Sequence, residues 1–170
     1  QDWADDRPVW ELAAERVGEV VRSSTDGDVL VFMPGAYEIQ RTIEEIRRAH
    51  SKDDLLIIPL HGELSPQDQD RAFIPTPYRR VIVSTNVAET SVTLPGIRAV
   101  VDSGLARISR YNPRTLVQRL HIEPVSQASA NQRMGRCGRV GPGVCVRLYS
   151  EEDFRRRDSY TDPEIRRTSL

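Results

Sequence analysis

Short, continuously apolar runs alternate with amphipathic stretches in the first part of the chain, and this alternation limits the folds that the chain can adopt. The apolar runs lie at residues 28–33, 55–60, 80–84 and 98–102. Runs of this length and composition are typical of strands buried on both faces. Helical spacing of apolar residues marks three intervening or preceding stretches: one that begins near Pro8, 38–49, and 65 to about 73. The pattern predicts an α/β fold with a doubly wound, mainly parallel sheet flanked by helices.

The periodicity changes after residue 104. Residues 105–111 and 115–123 are predicted to form an inserted β-hairpin, with its turn at Asn112-Pro113-Arg114. A last strand is predicted at 144–149. We expect one domain over residues 1–152, in which 1–26 are a lead-in helix and loop, and a linker over 153–170 toward a further domain.

The composition is that of a soluble globular domain, with 170 residues, 38% hydrophobic and 29% charged. No apolar run has membrane-spanning length and no leader peptide opens the chain, so we expect no membrane partner. Two cysteines without a disulfide or metal pattern indicate a reduced, cytoplasmic protein. The net charge of −1 requires any nucleic-acid surface to be local. Cys137 and Cys145 are interpreted as small core residues, and the three histidines lack metal-ligand spacing, so no metal site is predicted.

One basic stretch, residues 132–139, carries the strongest chemical signal. It follows a helix opening at Ser126 and precedes a helix stop near Gly141, so a helix is predicted through it. Gln132, Arg136 and Arg139 then share one side, and Ala130, Met134 and Cys137 pack on the sheet from the other. Gly135 and Gly138 are poor helix formers, which suggests either a close backbone approach there or a path left open for the arginines. Two guanidinium groups beside an amide suit a polyphosphate, the alternative being a solvated arginine face.

A complete nucleotide site is not encoded here. The chain has no G-x-x-x-x-G-K-[ST] loop and no acidic Mg²⁺-binding motif after a strand. The informative loops all follow predicted strands, where ligands of such sheets bind: Pro34-Gly35, His61-Gly62, Thr85-Asn86 and Ser103-Gly104. The arginine stretch is therefore interpreted as half of a composite site whose other half holds the nucleotide.

These segments resemble, in order, the motifs of superfamily 2 helicases of the DEAH-box/RHA family. Residues 132–139 resemble motif VI (QRxGRxGR), 84–93 resemble motif V, and 30–35 are similar to motif IV. Segments 61–65 and 101–104 fall in the expected places, and 124–140 is most similar to the bacterial HrpA-type RNA helicases. The resemblance covers about residues 27–170.

The resemblance implies the second RecA-like domain of such a helicase. ATP with Mg²⁺ would be held by the first RecA-like domain, which is not in this sequence. Arg136 and Arg139 would be the arginine fingers, and Gln132 would orient the γ-phosphate or the attacking water. Arg133 points off the finger face and is predicted to form an internal salt bridge.

Contacts to the RNA backbone are implied for the loops that follow two of the strands. Thr85, Asn86 and Thr90 of motif V would bind phosphates, and Gly35 would do so through its backbone. For each threonine, a helix N-cap is an equal alternative. Arg114 belongs to a basic hairpin that resembles the family's strand-separating hairpin, although arginines on a solvated hairpin would give the same pattern.

Two further residues are assigned to the nucleotide by resemblance alone. Thr93 would lie on the nucleotide side, and Phe73 would stack on the base. As a bare sequence feature, Phe73 is better interpreted as a core residue. Pro95 stands where many relatives have aspartate, so the ribose contact at that position is not carried over.

The function implied is that of the C-terminal motor domain of an ATP-dependent RNA helicase, moving 3′ to 5′ on single-stranded RNA. Its partners would be RNA, with DNA as an alternative, and the first RecA-like and C-terminal domains of the same protein. By itself the domain is predicted to be inactive. One alternative is a non-catalytic RecA-like RNA-binding module, against which the finger residues argue. Another is a flavodoxin-like small-molecule enzyme, for which the chain has no phosphate loop or catalytic base.

Overall fold

The computed structural model describes residues 6–23, 26–51, 54–137, 143–162 and 166–167. In chain order the elements are α1 (Val9–Ser23), β1 (Asp28–Phe32), α2 (Ala36–Ala49), β2 (Leu55–Leu60), α3 (Pro66–Asp70), β3 (Arg79–Ser84), a 3-10 turn (Asn86–Ala88), β4 (Ile97–Asp102), β5 (Leu105–Asn112), β6 (Val117–Pro124), α4 (Gln127–Met134), β7 (Val144–Arg147), α5 (Glu151–Arg156) and β8 (Arg166–Arg167).

The central sheet has five strands in the order β2-β3-β1-β4-β7, and every neighbouring pair is parallel. β1 lies in the middle, with Val31 opposite Val83 of β3 on one side and Val101 of β4 on the other. The predicted α/β class, the parallel sheet and the four apolar strands are thus confirmed. Their observed ends differ from the predicted ones by no more than a residue.

Each face of the sheet is covered by its own hydrophobic cluster, which explains why the strands are apolar without alternation. The first cluster joins α1 and α2 to strand residues such as Val29, Val31 and Val83. The second cluster joins Leu30, Phe32 and Ile82 to the loops that precede β3 and β4. Helices α1 and α2 therefore lie on one face, and the other face is left to shorter, loop-borne segments.

The predicted hairpin is confirmed as β5 and β6, which pair antiparallel from Leu105–Pro124 to Asn112–Val117. Its turn contains Leu116, whose φ of 56° lies in the left-handed region. β8 pairs with the other edge of β5 at Ile108 and Ser109, giving a second sheet in the order β6-β5-β8. Inner residues of the hairpin, Ala106 and Ile108, pack with Ala130 of α4.

Helix α4 is shorter than predicted. It ends at Met134 with Gly135 as its C-cap, and the Arg136 N–H donates to the Arg133 carbonyl in a tighter turn. A Cβ at Gly135 would lie 3.4 Å from the Gln132 carbonyl oxygen, an ordinary contact, so this glycine ends the helix and is not required by a close approach. Gly138 and Arg139 lie outside the described residues.

The prediction that Met134 packs on the sheet is wrong. Its side chain is 43% exposed, and Arg133 occupies the buried side of the helix together with Ala130. The ion pairs of Arg133 described below fix this rotation, because a buried guanidinium must reach its carboxylates. Cys137 is partly buried against the second cluster, as predicted.

The segment that follows α5 packs along the start of α4. The Gln127 and Ala128 N–H groups donate to the carbonyls of Asp158 and Ser159, at 2.8 and 3.0 Å. These first N–H groups of a helix have no partner within the helix, so the segment satisfies them. The domain boundary after residue 152 remains a prediction. Among the helices in the described part of the chain, none is both long and apolar enough to cross a membrane.

Candidate functional site

The loops singled out in the sequence leave the same edge of the sheet, because the carboxyl ends of parallel strands lie together. Backbone hydrogen bonds join them there: the Met33 N–H donates to the Ser84 carbonyl at 2.8 Å, and the Thr85 N–H to the Leu60 carbonyl at 3.2 Å. The Ser103 N–H donates to the Phe32 carbonyl at 3.2 Å. The loop that opens motif V therefore lies between the ends of β1 and β2.

A fully buried arginine anchors α4 at this edge. Arg133 has 0% exposure, its Nε lies 3.0 Å from Glu89 Oε1, and its Nη1 lies 2.8 Å from Asp102 Oδ1. Nη2 donates to the Leu105 carbonyl at 3.0 Å. Burial acts to lower the pKa of Arg133, but the Asp102 and Glu89 carboxylates outweigh it and raise the pKa. The predicted internal salt bridge of Arg133 is confirmed.

The carboxylate partners of Arg133 connect three motifs. Glu89 follows the 3-10 turn of motif V, and it also accepts a hydrogen bond of 2.7 Å from the Ser129 hydroxyl of α4. Asp102 ends β4 and accepts from the Gly104 N–H at 2.8 Å. Sequence reasoning did not identify these partners. The sequence did contain a usable signal. Glu89 and Asp102 are acidic residues next to the ends of a turn and a strand, and a buried arginine requires such counter-charges.

A cleft of ≈ 560 Å³ lies between the motif V loop and α4. Asn86 and Thr90 line it on one side, Gln132 lines it on the other, and Tyr160 and Thr161 close one end. The structure thus brings together two predicted RNA contacts and one predicted catalytic residue. It does not place Arg136 in this cleft.

Two polar atoms at the start of the motif V loop have no hydrogen-bond partner among the described residues. They are the buried Thr85 Oγ1 and Asn86 Oδ1. Thr85 occupies the N-cap position of the 3-10 turn, yet its side chain makes no capping hydrogen bond. The N-cap alternative for Thr85 is therefore excluded. Buried polar atoms usually have partners, so these two are available to a ligand.

Gly35 is the N-cap of α2, with an extended backbone at φ −163°. A Cβ there would lie 3.1 Å from Glu38 Oε1 and 3.7 Å from the Arg107 Cδ of the hairpin. The contact with Arg107 would be an ordinary one, and only the flexible end of Glu38 would have to shift. Gly35 itself is buried, so its proposed RNA contact through the backbone stays a prediction.

Arg136 lies in the turn beyond α4, so the predicted helical face shared with Gln132 does not extend to it. Its side chain is half-buried, and its Nε is buried without a hydrogen-bond partner among the described residues. Since Arg139 lies outside those residues, the geometry of the proposed pair of fingers is not defined. Arg136 Nε is thus one of the buried donors without a partner in the described part of the protein.

The residues assigned to the nucleotide border the second hydrophobic cluster. Phe73 follows Ala72, Thr93 lies between Val92 and Leu94, and Arg136 precedes Cys137, and all of these neighbours belong to or pack on that cluster. The core alternative for Phe73 is wrong, since its side chain is 38% exposed. Thr93 is also exposed. The three candidates therefore lie on one face of the sheet, opposite α1 and α2.

The hairpin is less basic than its sequence suggests. Arg114 is exposed at the turn, where its N–H donates to Asn112 Oδ1 at 3.0 Å. Arg110 pairs with Glu123 across the strands, and its hydrogen bond holds the pKa of Glu123 below the ordinary value. The Arg114 assignment remains a prediction, supported only by exposure at the tip.

The cysteines are free thiols and partly buried, as expected of small core residues. Burial raises the pKa of Cys145 to about 12, so this thiol stays protonated near neutral pH. Among the described residues, no group of three or more His, Cys, Asp or Glu side chains is arranged to hold a metal ion.

A parallel five-stranded sheet with this edge cleft, an arginine buried between two carboxylates and a hairpin after β4 defines the class of RecA-like α/β domains. Within that class, the family model described as the helicase conserved C-terminal domain matches residues 13–141. The chain belongs to this family, in the form carried by the DEAH-box helicases.

Relatives and solved structures agree with this family. The chain is 57% identical over 144 residues to the Haemophilus influenzae ATP-dependent RNA helicase HrpA homolog, covering 85% of this chain and 11% of that protein. It is 52% identical over 169 residues to Escherichia coli ATP-dependent RNA helicase HrpA, covering 98% and 13%. The crystal structure of the E. coli DExH-box NTPase HrpB superposes with a TM-score of 0.87 at 40% identity, covering 95% of this chain and 20% of that one.

The chain thus spans only a small share of each of these proteins. The predicted resemblance to HrpA-type helicases is confirmed by the match to proteins of that name.

Proposed function

We propose that this chain is the second motor domain of an ATP-dependent RNA helicase and that it couples ATP hydrolysis to movement along single-stranded RNA. The relatives that it matches are named ATP-dependent RNA helicases, and it covers their C-terminal helicase domain. A first RecA-like domain of the same protein would hold ATP and Mg²⁺, and further domains would follow. The setting would be cytoplasmic.

The observation that carries the proposal is the cleft shared by Asn86, Thr90 and Gln132. Gln132, which is assigned to hydrolysis, lines the same cleft as Asn86 and Thr90, which are assigned to RNA. The buried ion pair between Arg133 and Glu89 joins α4 to the motif V loop at this cleft. Movement of α4 relative to the motif V loop would have to break or carry this buried pair. RNA contact and hydrolysis would therefore be mechanically linked through a rigid unit.

Two of the unpartnered polar atoms can donate to phosphate oxygens, whereas Asn86 Oδ1 can only accept. Arg136 Nε is a donor, and the Thr85 hydroxyl can donate to a phosphate oxygen. Asn86 can offer its amide to the RNA backbone, and Gly35 its peptide group. Arg136 would act on the charge that develops on the transferred phosphoryl group, with Arg139 as its proposed partner and Gln132 orienting the water.

The nucleotide would meet this chain on the face of the second hydrophobic cluster. Phe73 would stack on the base, and Thr93 would lie beside it. RNA would run along the opposite rim of the motif V loop, past Thr90, toward Arg114 at the hairpin tip. Stacking reads no base edge, so this arrangement would discriminate weakly between nucleotides.

The test is Arg136→Ala in the full-length helicase. We expect RNA-stimulated ATP hydrolysis to fall by about 10³–10⁵ in kcat, as for other arginine fingers, while RNA affinity changes little. Arg136→Lys should rescue poorly, because a point charge lacks the planar fork. Arg155→Ala is the matched control, since Arg155 is an exposed arginine paired with Glu151 on α5.

Two outcomes would contradict the proposal. One is an Arg136→Ala protein with normal hydrolysis. The other is a loss of activity that unfolding of the variant fully explains. If the full-length wild-type protein binds RNA but does not hydrolyse ATP, that result would instead favour the non-catalytic RNA-binding module.

A further inference from the structure

A buried arginine at the start of β3 holds the loop that carries Phe73. Nη1 of Arg80 donates to the carbonyls of Ala72 and Ile74, each at 2.9 Å. These two carbonyls flank Phe73 in the chain. A single guanidinium nitrogen therefore fixes the backbone on both sides of the aromatic residue.

Arg80 is itself anchored to the central sheet. Its Nε lies 3.1 Å from Asp28 Oδ2, and its backbone N–H donates to Asp28 Oδ1 at 2.9 Å. Asp28 begins β1, and its own N–H donates to the Gly96 carbonyl at 3.0 Å. The contacts thus run from the sheet through Asp28 and Arg80 to the loop.

The other backbone hydrogen bonds next to Phe73 are short-range turn contacts, such as that from the Ala72 N–H to the Gln69 carbonyl at 3.2 Å. Helix α3 has only five residues, and the Phe73 N–H donates to the Asp70 main-chain carbonyl at 2.9 Å in the turn that follows it. Ala72 is 1% exposed in the second cluster, whereas Phe73 is 38% exposed. The backbone is pinned while the ring is left at the surface.

The neighbouring arginine provides a natural comparison. Arg79 precedes Arg80 in β3 and so points to the opposite face of the sheet. It donates to the carbonyls of Gly27 at 2.7 Å and Val21 at 3.3 Å, near the end of α1. Both arginines bind main-chain carbonyls, but only Arg80 binds those around Phe73.

We propose that Arg80, held by Asp28, is a positioning residue that presents the Phe73 ring to the base of the bound nucleotide. This inference rests on the proposed function, in which Phe73 stacks on that base. An aromatic residue whose backbone is already fixed near its binding position loses less conformational freedom on stacking. Arg80 should therefore act on nucleotide affinity and leave the chemical step alone.

The experiment uses the full-length helicase with Phe73→Ala, Arg80→Met, the double variant and Arg79→Met as the matched control. We expect Phe73→Ala and Arg80→Met each to raise KM for ATP by about 10-fold, with kcat within about 2-fold of wild type. The double variant should be no worse than Phe73→Ala, because Arg80 acts through Phe73. Arg79→Met should leave KM unchanged.

Competition by two inhibitors, ADP and pyrophosphate, distinguishes a loss of Phe73 positioning from a general loss of the protein's structure. ADP carries a base and pyrophosphate does not. The inhibition constant of ADP should therefore rise with Arg80→Met by about as much as KM, while that of pyrophosphate stays the same. Should Arg80→Met fail to fold, Asp28→Asn is the second variant, with the same pattern expected at about 3-fold, since the amide keeps the shape and weakens the pairing.

Three results would overturn the inference: fully additive effects in the double variant, equal weakening of ADP and pyrophosphate, or an unchanged KM in folded Arg80→Met. The failure of the proposed function is a different result. Suppose that Phe73→Ala leaves KM unchanged while Arg136→Ala still abolishes hydrolysis. The stacking role of Phe73 and this inference are then wrong, but the helicase assignment is not contradicted. If Arg136→Ala hydrolyses normally, the helicase assignment itself fails.

Discussion

Removing the buried guanidinium of Arg133 should destabilise the domain far more than removing any surface arginine. The change is Arg133→Met, which keeps an unbranched side chain of similar length. It deletes the ion pairs with Glu89 and Asp102, at 3.0 and 2.8 Å, and the hydrogen bond to the Leu105 carbonyl. It leaves two carboxylates in a site where Arg133 has 0% exposure and Asp102 has 0%.

The magnitude follows from the unpaired carboxylates. Removing one partner of a buried pair typically costs about 3–5 kcal/mol, and the lost carbonyl hydrogen bond adds about 1 kcal/mol. We therefore expect the free energy of unfolding to fall by about 4–6 kcal/mol. Domains of ordinary size have about 5–15 kcal/mol in total, so the variant should be close to unfolding.

Urea unfolding of the 170-residue chain, followed by circular dichroism at 25 °C, measures this loss. Arg156→Met is the control: its i,i+4 pair with Glu152 is 2.6 Å long and 76%/69% exposed, so the expected loss is about 0.5 kcal/mol or less. Adding Glu89→Gln and Asp102→Asn to Arg133→Met should restore at least about 2 kcal/mol, because no unpaired charge then stays buried.

Two measurements would refute this reasoning. If Arg133→Met lowers the free energy of unfolding by less than about 1.5 kcal/mol, the two carboxylates are not left as unpaired buried charges when the cation is removed. A triple variant as unstable as Arg133→Met would mean that packing of the side chain, and not its charge, holds α4 in place.

Four further outcomes are expected. The 170-residue chain alone should hydrolyse no ATP above background, since it lacks a phosphate loop; metal-dependent turnover that survives repurification would contradict the composite site. Its binding to labelled single-stranded RNA should be weak and fall with salt, by about 0.7 log units of affinity per log unit of salt for each phosphate contacted. Asn86→Ala should weaken this binding without changing the urea midpoint, and binding that ignores salt would refute the backbone contacts. Stability should fall as the pH rises from about 9 toward 12, because the unfolded Cys145 thiol ionises near its ordinary pKa of 9.0 while the folded thiol has a pKa of about 12. This contribution is complete below the ordinary pKa and is lost as the pH rises toward 12. The loss amounts to about 1.4 kcal/mol at pH 10. Thermal melts of wild type and Cys145→Ala across this range, with equal slopes, would exclude it.

Most of the fold was predictable because its strands are buried on both faces. Such strands are continuous apolar runs, and the runs at β1 to β4 were located to within a residue. The hairpin was equally predictable, because its turn residues lie in the region where the hydrophobic periodicity of the sequence changes. These features are local, and local patterns are what a sequence displays directly.

The rotation and length of α4 were not predictable in the same way. Helical spacing alone put Met134 on the sheet, but the position of Arg133 is decided by Glu89 and Asp102, which lie 44 and 31 residues away in the chain. Gly135 was noticed as unfavourable in a helix, yet only the structure identifies it as the end. The roles of Arg80 and Asp28 were missed for the same reason, since their partners are main-chain carbonyls of a loop that has no pattern of its own.

The packing of the chain after α5 bears on how the protein can be divided into fragments. Arg157 donates to the carbonyls of Gly104, at 2.6 Å, and Val125, at 3.2 Å, and it stacks on Tyr149 with 3.8 Å between guanidinium carbon and ring centroid. A protein cut after residue 152 would keep every strand of the parallel sheet, yet it would leave these carbonyls and the first N–H groups of α4 to solvent. Because α4 also positions Gln132 at the cleft, such a cut would remove contacts that hold α4, and with it the Gln132 side of the cleft, in place. Fragments intended for binding studies should therefore retain the residues through Thr161.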